Sequence, residues 1–154
     1  FGGNIGEAQD FSSILKSLEK LSNKTEKLNW FIFGEGSEKK KIYNFLKDNL
    51  KNKNVYLFKN ISRNEFFSVI TKYADLCLVC LKKNKTLAWT IPGKIQFYFQ
   101  CRKPVVGMLD GEAYKLINDT NSGYVVRSGD YKKFTKLLLK LSKIKKKFFL
   151  KERV

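Results

Sequence analysis

Histidine is absent from this 154-residue chain, and acid is scarce: 14 Asp and Glu stand against 31 Lys and Arg. Without His, no zinc site of the usual His/Cys kind can be completed. Cysteine is sparse too, and Cys77, Cys80 and Cys101 are too few for a disulfide framework. The C-x-x-C spacing of Cys77 and Cys80 falls inside Ala-Asp-Leu-Cys-Leu-Val-Cys-Leu, which reads as a buried strand, whereas metal knuckles and redox motifs put that spacing on a turn. Buried free thiols in a reducing compartment are the expectation. No apolar run nears the ~20 residues needed to cross a bilayer. Position 1 is Phe, with neither a basic leader nor a cleavage site after it, and it already belongs to a strand pattern. From this we expect a piece of a longer protein.

What is present describes one globular domain. Apolar residues make up 43% of the chain and aromatics 14%, enough for a core and too much for disorder. The net charge of +17 fits two readings: contact with a polyanion or an anionic membrane face, or a lysine-rich composition spread over solvated helix faces. Scatter from Lys16 to Lys151 favours the second for most lysines. The exception is Lys143, Lys145, Lys146, Lys147 and Lys151, interleaved with Phe148 and Phe149, a basic-apolar patch suited to a membrane surface. The expected division is therefore residues 1–142 as the domain and 143–154 as a basic tail.

Along the chain, short apolar runs alternate with helical patterns. A helix is predicted from Asp10 to about Ser22 on the stripe Ile14, Leu15, Leu18 and Leu21. A strand over 28–33 ends at Gly34-Glu35-Gly36, and Ser37 is the predicted cap of the next helix. A strand over 54–58 precedes a helix capped by Ser62. The most continuous strand covers 74–80, followed by a polar loop from Lys82 to Thr90 and a helix from Pro92 to about Gln100. A strand over 104–108, a short helix over 112–117, a strand over 123–126 and a helix opened by Asp130 complete the pattern. Strands alternating with helices predict an α/β fold, a Rossmann-like doubly wound parallel sheet with helices on both faces. With strand order 3-2-1-4-5-6, the turn Asn4–Glu7 faces the loop Leu81–Pro92 at the switch point, where such sheets hold ligands.

The stretch Phe1-Gly2-Gly3-Asn4-Ile5-Gly6-Glu7-Ala8-Gln9-Asp10 organises the rest. An apolar lead-in, glycines and a helix start together make an anion cradle, or else a turn that merely needs φ > 0. Gly3-Asn4-Ile5-Gly6-Glu7-Ala8-Gln9-Asp10 resembles the G-N-I-G-E-A-Q-D opening of the C-terminal half of family-4 GT-B glycosyltransferases, near the L-fucosamine transferases of O-antigen and capsule assembly. Phe31-Ile32-Phe33-Gly34-Glu35-Gly36-Ser37, Tyr73-Ala74-Asp75-Leu76, Pro92-Gly93-Lys94-Ile95-Gln96-Phe97-Tyr98, Lys103-Pro104-Val105-Val106, Asp110-Gly111-Glu112 and Ser122-Gly123-Tyr124-Val125-Val126 follow that family's motifs in order, up to about Leu139. The chain departs from it at Asn4 and Gln9, where many members carry Arg and Lys for the donor phosphates. It also departs at Phe97, which takes the place of a ribose-holding Glu, and at Arg102, which stands where Gly is expected.

The resemblance implies a nucleotide-sugar donor domain, with the nucleotide sugar as substrate and no separate cofactor or metal. Gly3, Asn4, Gly6 and Gln9 would meet the diphosphate. Lys94 would supply the missing cation, or is a solvated helix-start lysine. Gln96 would reach sugar or ribose. Gly34, Glu35 and Gly36 border the base or only close a strand. Asn60 and Ile61 fall where backbone groups meet the base, or in an ordinary loop. Glu112 contacts sugar or starts a helix. Glu7 and Asp10 read equally as helix-start acids, and no catalytic acid–base pair stands out. The resemblance also implies an acceptor half from an N-terminal domain, a glycan or lipid-linked acceptor, and a cytoplasmic site, peripheral on the inner face of the plasma membrane through the tail. Against this stand an epimerase-like domain, whose His and acid constellation is missing, and a basic nucleic-acid-binding Rossmann-like module, which would need clustered bases and free aromatics. A NAD-type dehydrogenase would need G-x-G-x-x-G in the first turn.

Overall fold

The computed structural model describes residues 1–22, 28–48 and 54–144. Seven helices and five strands alternate among the described residues: α1 (Phe11–Ser22), β1 (Trp30–Phe33), α2 (Lys39–Asp48), β2 (Val55–Phe58), α3 (Arg63–Tyr73), β3 (Cys77–Cys80), α4 (Lys85–Ala88), α5 (Gly93–Gln100), β4 (Val105–Met108), α6 (Gly111–Asp119), β5 (Gly123–Val126) and α7 (Tyr131–Leu141). Strands β1 and β2 pair in parallel, and β3, β4 and β5 form a second parallel group in that order. The lead-in at the chain start is a single parallel bridge, Gly2 to Phe33, on the free side of β1. Counting it as a strand, the order is the predicted 3-2-1 and 4-5-6, with the hydrogen-bonded ladder interrupted between halves.

Two apolar cores lie on opposite faces, because side chains alternate along a strand. Leu78, Cys80, Val106 and Met108 point into one with α1 and α7; Cys77, Val79 and Val105 point into the other with α5 and α6. All four residues of β3 and of β4 are buried, as a strand covered on both faces requires. This alternation also sends Cys77 and Cys80 to opposite faces, so their thiols cannot share a metal. Burial raises the Cys80 thiol well above its ordinary pKa.

Local chemistry sets the boundaries. Ser62 and Glu65 make the reciprocal capping box that opens α3. Asp10 is a buried helix-start acid: its carboxylate accepts the Ser13 N–H at 3.1 Å. Ser37 does not cap α2. The Glu38 N–H donates to Ile5 O at 3.0 Å and Lys39 N–H to Gly36 O at 3.1 Å, so the chain turns once more before the helix starts at Lys39. The polar loop after β3 is not wholly irregular either, since Asn84 caps the one-turn helix α4. Helix α7 ends at Leu141, and residues 145–154, with most of the basic tail, lie outside the described residues. No helix among the described residues is long and apolar enough to cross a membrane.

Candidate functional site

The two predicted loops do converge. The Lys82 N–H, just past β3, donates to Ala8 O at 2.9 Å, and the Lys82 ammonium lies 3.7 Å from the Glu7 carboxylate. Beside this junction opens a cavity of about 490 Å³, within the usual span of small-molecule sites. Gly2, Gly3, Phe33, Asn60, Ile61 and Arg63 line it from one side; Gly93, Lys94, Gln96, Phe97 and Tyr98 line it from α5, with Phe66 between.

Gly3 and Lys94 meet at its rim. A Cβ on Gly3 would sit 2.9 Å from the Lys94 Nζ, so the ammonium occupies space that only a bare Cα leaves open. Gly3 has φ of 110°, a backbone conformation that favours glycine. Its N–H is not free for an anion, because it donates to Phe33 O at 2.9 Å. Lys94 lies 4.5 Å from the centroid of the Phe1 ring, and burial lowers its pKa below the ordinary lysine range. A half-buried cation with a ring beneath it, facing a cavity, is poised to gain from an arriving anion.

Helix α5 is locked to the turn one helical step further on. Tyr98 is buried, and its phenol oxygen accepts the Gly2 N–H at 3.1 Å. Lys94 and Tyr98 are four residues apart and share a face. The spacing of Tyr98 from Lys94 is visible in the sequence, but nothing there marks its hydroxyl as the partner of Gly2.

The remaining expected residues divide. Asn60, Ile61 and Gln96 are exposed and line the cavity. Asn4 is exposed and folds back over its own turn: a Cβ on Gly6 would lie 2.7 Å from Asn4 Nδ2, and one on Gly36 would lie 2.7 Å from Asn4 Oδ1. Asn4, Gly6 and Gln9 do not line the cavity wall. Gln9 Oε1 is a buried side-chain oxygen that accepts no hydrogen bond from the described residues. Gly34 and Gly36 lie against the first turn: a Cβ on Gly34 would meet Gly3 O at 2.0 Å, and one on Gly36 would meet Ile5 O at 2.4 Å. The two glycine turns therefore interlock backbone to backbone, with the Ile5 N–H donating to Glu35 O at 2.8 Å. The Glu35 carboxylate pairs with Lys39. Glu112 sits on the first turn of α6, pairs with Lys115 at 3.1 Å and does not line the cavity.

Arg63 and the packing of Phe33 and Phe66 with Phe97 into an aromatic wall are features that the sequence alone does not reveal. Phe33 packs edge-on to Phe66 at 5.5 Å, Phe66 stacks on Phe97 at 5.7 Å, and the Arg63 guanidinium caps the Phe97 ring at 5.5 Å. Phe97 thus closes the wall with an aromatic ring. The cavity offers two cations, a flat apolar wall and exposed amides at one mouth, and none of the residues lining it is acidic.

A family model described as "Glycosyl transferases group 1" matches residues 1–148. No curated protein sequence matches the chain. Solved structures similar to it include S. aureus TarM, a mutant in complex with fondaparinux, alpha-GlcNAc-glycerol and UDP. That match has 16% identity and a TM-score of 0.69 over 93% of this chain and 28% of that one. WaaG, described as a glycosyltransferase involved in lipopolysaccharide biosynthesis, gives 18% identity and a TM-score of 0.68 over 93% and 38%. Anabaena HepE in complex with UDP and glucose gives 13% and 0.71 over 92% and 38%. The chain spans less than two-fifths of each of these three proteins. Its fold is the Rossmann-like domain of GT-B glycosyltransferases, and by the family match along nearly its whole length the chain belongs to the glycosyl transferases group 1.

Proposed function

We propose that this chain is the donor-binding half of a glycosyltransferase, and that its cavity holds the nucleoside diphosphate of a nucleotide sugar. The observation that carries the reading is the meeting of Gly3 and Lys94 at the cavity rim. Two phosphates need cations and close-approaching backbone; Lys94 and Arg63 supply the charge, and the start of α5 supplies neutral donors. The base lies toward Asn60 and Ile61 against Phe33 and Phe66. Gln96 reaches ribose or sugar. A UDP-linked donor is favoured because several structures of like fold carry UDP in their descriptions. No resident cofactor or metal is invoked.

The acceptor is a glycan or a lipid-linked glycan in surface polysaccharide assembly, a reading supported by the motif resemblance to the L-fucosamine transferases. An N-terminal domain presents that acceptor, on the cytoplasmic side of the plasma membrane. Calorimetric titration with UDP, GDP, NAD and a short DNA separates this reading from its rivals. UDP binding tighter than the others is expected, and binding of DNA or NAD alone would reject the donor site. In the same reading the 154 residues bind donor without transferring sugar, and transfer by this chain alone would refute the two-domain part.

A further inference from the structure

From Leu76 to Leu109 the chain contains no acidic residue, yet it carries Lys82, Lys83, Lys85, Lys94, Arg102 and Lys103. The middle of this stretch rises from the carboxyl end of β3, beside the cavity. It is held from below. Asn84 caps α4, Leu87 packs against the core under α5 and α6, and Gly111 presses so closely on Ala88 that a Cβ there would meet Ala88 O at 1.9 Å. The Trp89 N–H closes the turn on Thr86 O at 3.2 Å and the Thr90 N–H on Leu87 O at 3.2 Å.

This anchored turn lifts Trp89 into solvent. Its side chain is 80% exposed, the most of any exposed large hydrophobic residue described, and Ile91 two residues on is 41% exposed. Lys83 and Lys85 precede it on the same turn, both exposed and without an ion pair among the described residues, while Lys82 pairs with Glu7 at 3.7 Å. An indole and an isoleucine raised on a fixed turn that also carries two exposed lysines, within a stretch that has no acidic residue of its own, match the chemistry of one surface. Anionic lipid headgroups take the lysines, and the interfacial layer beneath them takes amphipathic Trp.

We infer that the Lys83–Ile91 turn docks the protein on an anionic bilayer, with Trp89 and Ile91 at headgroup depth and Lys83 and Lys85 on lipid phosphates. The docking element is thus the turn between β3 and α5, separate from the basic tail, and it stands whether or not the cavity binds a nucleotide sugar.

The chain has two tryptophans, so Trp30→Phe leaves Trp89 as sole reporter. Its emission is recorded with vesicles of phosphatidylcholine alone and of phosphatidylcholine with phosphatidylglycerol, with and without lipid-borne quenchers. We expect a blue shift and quenching only with the anionic vesicles, reversed by salt. Vesicle affinity should fall on the order of tenfold or more in Trp89→Ala/Lys83→Gln/Lys85→Gln, at unchanged melting temperature since all three side chains are exposed. No vesicle binding, or binding with Trp89 still in water, would overturn the inference. So would an equal shift on neutral vesicles, or full binding by the triple variant that disappears when the tail lysines become Gln. A concentration-dependent shift without vesicles would assign the turn to a second copy of the chain instead.

Discussion

Tyr98 and Gly2 are 96 residues apart in the chain and joined by one buried hydrogen bond, the Gly2 N–H donating to the phenol oxygen at 3.1 Å. The bond ties α5 to the strand bridge that opens the chain, and Lys94 rides on the same helix one turn earlier. Burial holds the phenol pKa well above its ordinary value, so Tyr98 stays neutral and able to accept across the working pH range. Tyr98→Phe keeps the ring and leaves the Gly2 N–H buried without a partner, a loss of about 1–3 kcal/mol. Thermal unfolding should show a drop of roughly 2–4 °C per kcal/mol for a domain this size. UDP affinity should fall with it, because the lysine is no longer held against the turn. A variant that melts and binds as the parent does would show that the hydroxyl has no positioning role.

Lys94 makes a prediction with a pH signature. Lys94→Ala removes a charge-assisted contact typically worth ~1.5–3 kcal/mol, so UDP affinity should weaken roughly tenfold to a hundredfold. The folded protein holds the Lys94 pKa below its ordinary value of 10.5. As pH rises through that lowered value the ammonium is lost, and diphosphate affinity should fall earlier than for an ordinary lysine. Stability runs the other way. Between the lowered and the ordinary pKa the unfolded chain binds more protons, so the unliganded fold gains stability as pH rises there. Lys94→Arg stays charged and should abolish the alkaline loss of affinity. Calorimetry and melting curves from neutral to alkaline pH test both slopes.

The interlocked glycine turns fix where a side chain is forbidden. Gly36 has φ of 150°, and a Cβ there would come within 2.4 Å of Ile5 O, a backbone atom that also accepts the Glu38 N–H. Gly36→Ala should therefore pry the two turns apart and destabilise the fold by more than about 1 kcal/mol. Gly93 is the contrast. It opens α5 with nothing within 4 Å of a built Cβ, so Gly93→Ala should leave stability unchanged or raise it by up to ~1 kcal/mol. Equal melting temperatures for the two variants would show that the turns are not locked.

Much of this was legible in the sequence, for physical reasons that can be named. Leu78-Val79-Cys80 and Val105-Val106 are short apolar runs that only a twice-covered strand tolerates, and the parallel order followed from alternation with helices. The meeting of the Gly3 turn with Lys94 followed from that order and from the motif. Arg63 was missed because a cation after the Ser62 cap looks like any solvated helix-start residue until Phe97 is seen beneath it. Gly34 and Gly36 stayed ambiguous because a sequence does not say what lies against a Cα, and here it is the carbonyls of Gly3 and Ile5. Helix α4 has four residues, too few for any period to show. The Ser37 cap failed because the Lys39 N–H, a donor that such a cap would take, goes instead to Gly36 O, and the helix begins only at Lys39.

Arg102 shows the reverse case, a departure noted in the sequence that the backbone explains. Helix α5 ends in a Schellman motif: the Lys103 N–H donates to Tyr98 O at 3.0 Å and the Arg102 N–H to Phe99 O at 2.9 Å. That geometry puts Arg102 at φ of 53°, the left-handed region where glycine is at ease and a side chain costs about 1 kcal/mol. Helix α6 ends the same way, with Ser122 N–H on Ile117 O at 3.1 Å, but there the left-handed residue is Asn121, a type that tolerates it. Arg102 is exposed, and no ion pair with a described residue holds it in place. Arg102→Gly should therefore stabilise the domain by about 1 kcal/mol, raising its melting temperature by roughly 2–4 °C, while Asn121→Gly changes it little. UDP affinity should not move, because Arg102 lies at the far end of α5 from Lys94. A lower melting temperature in Arg102→Gly would mean that the guanidinium makes a contact worth more than the relieved strain.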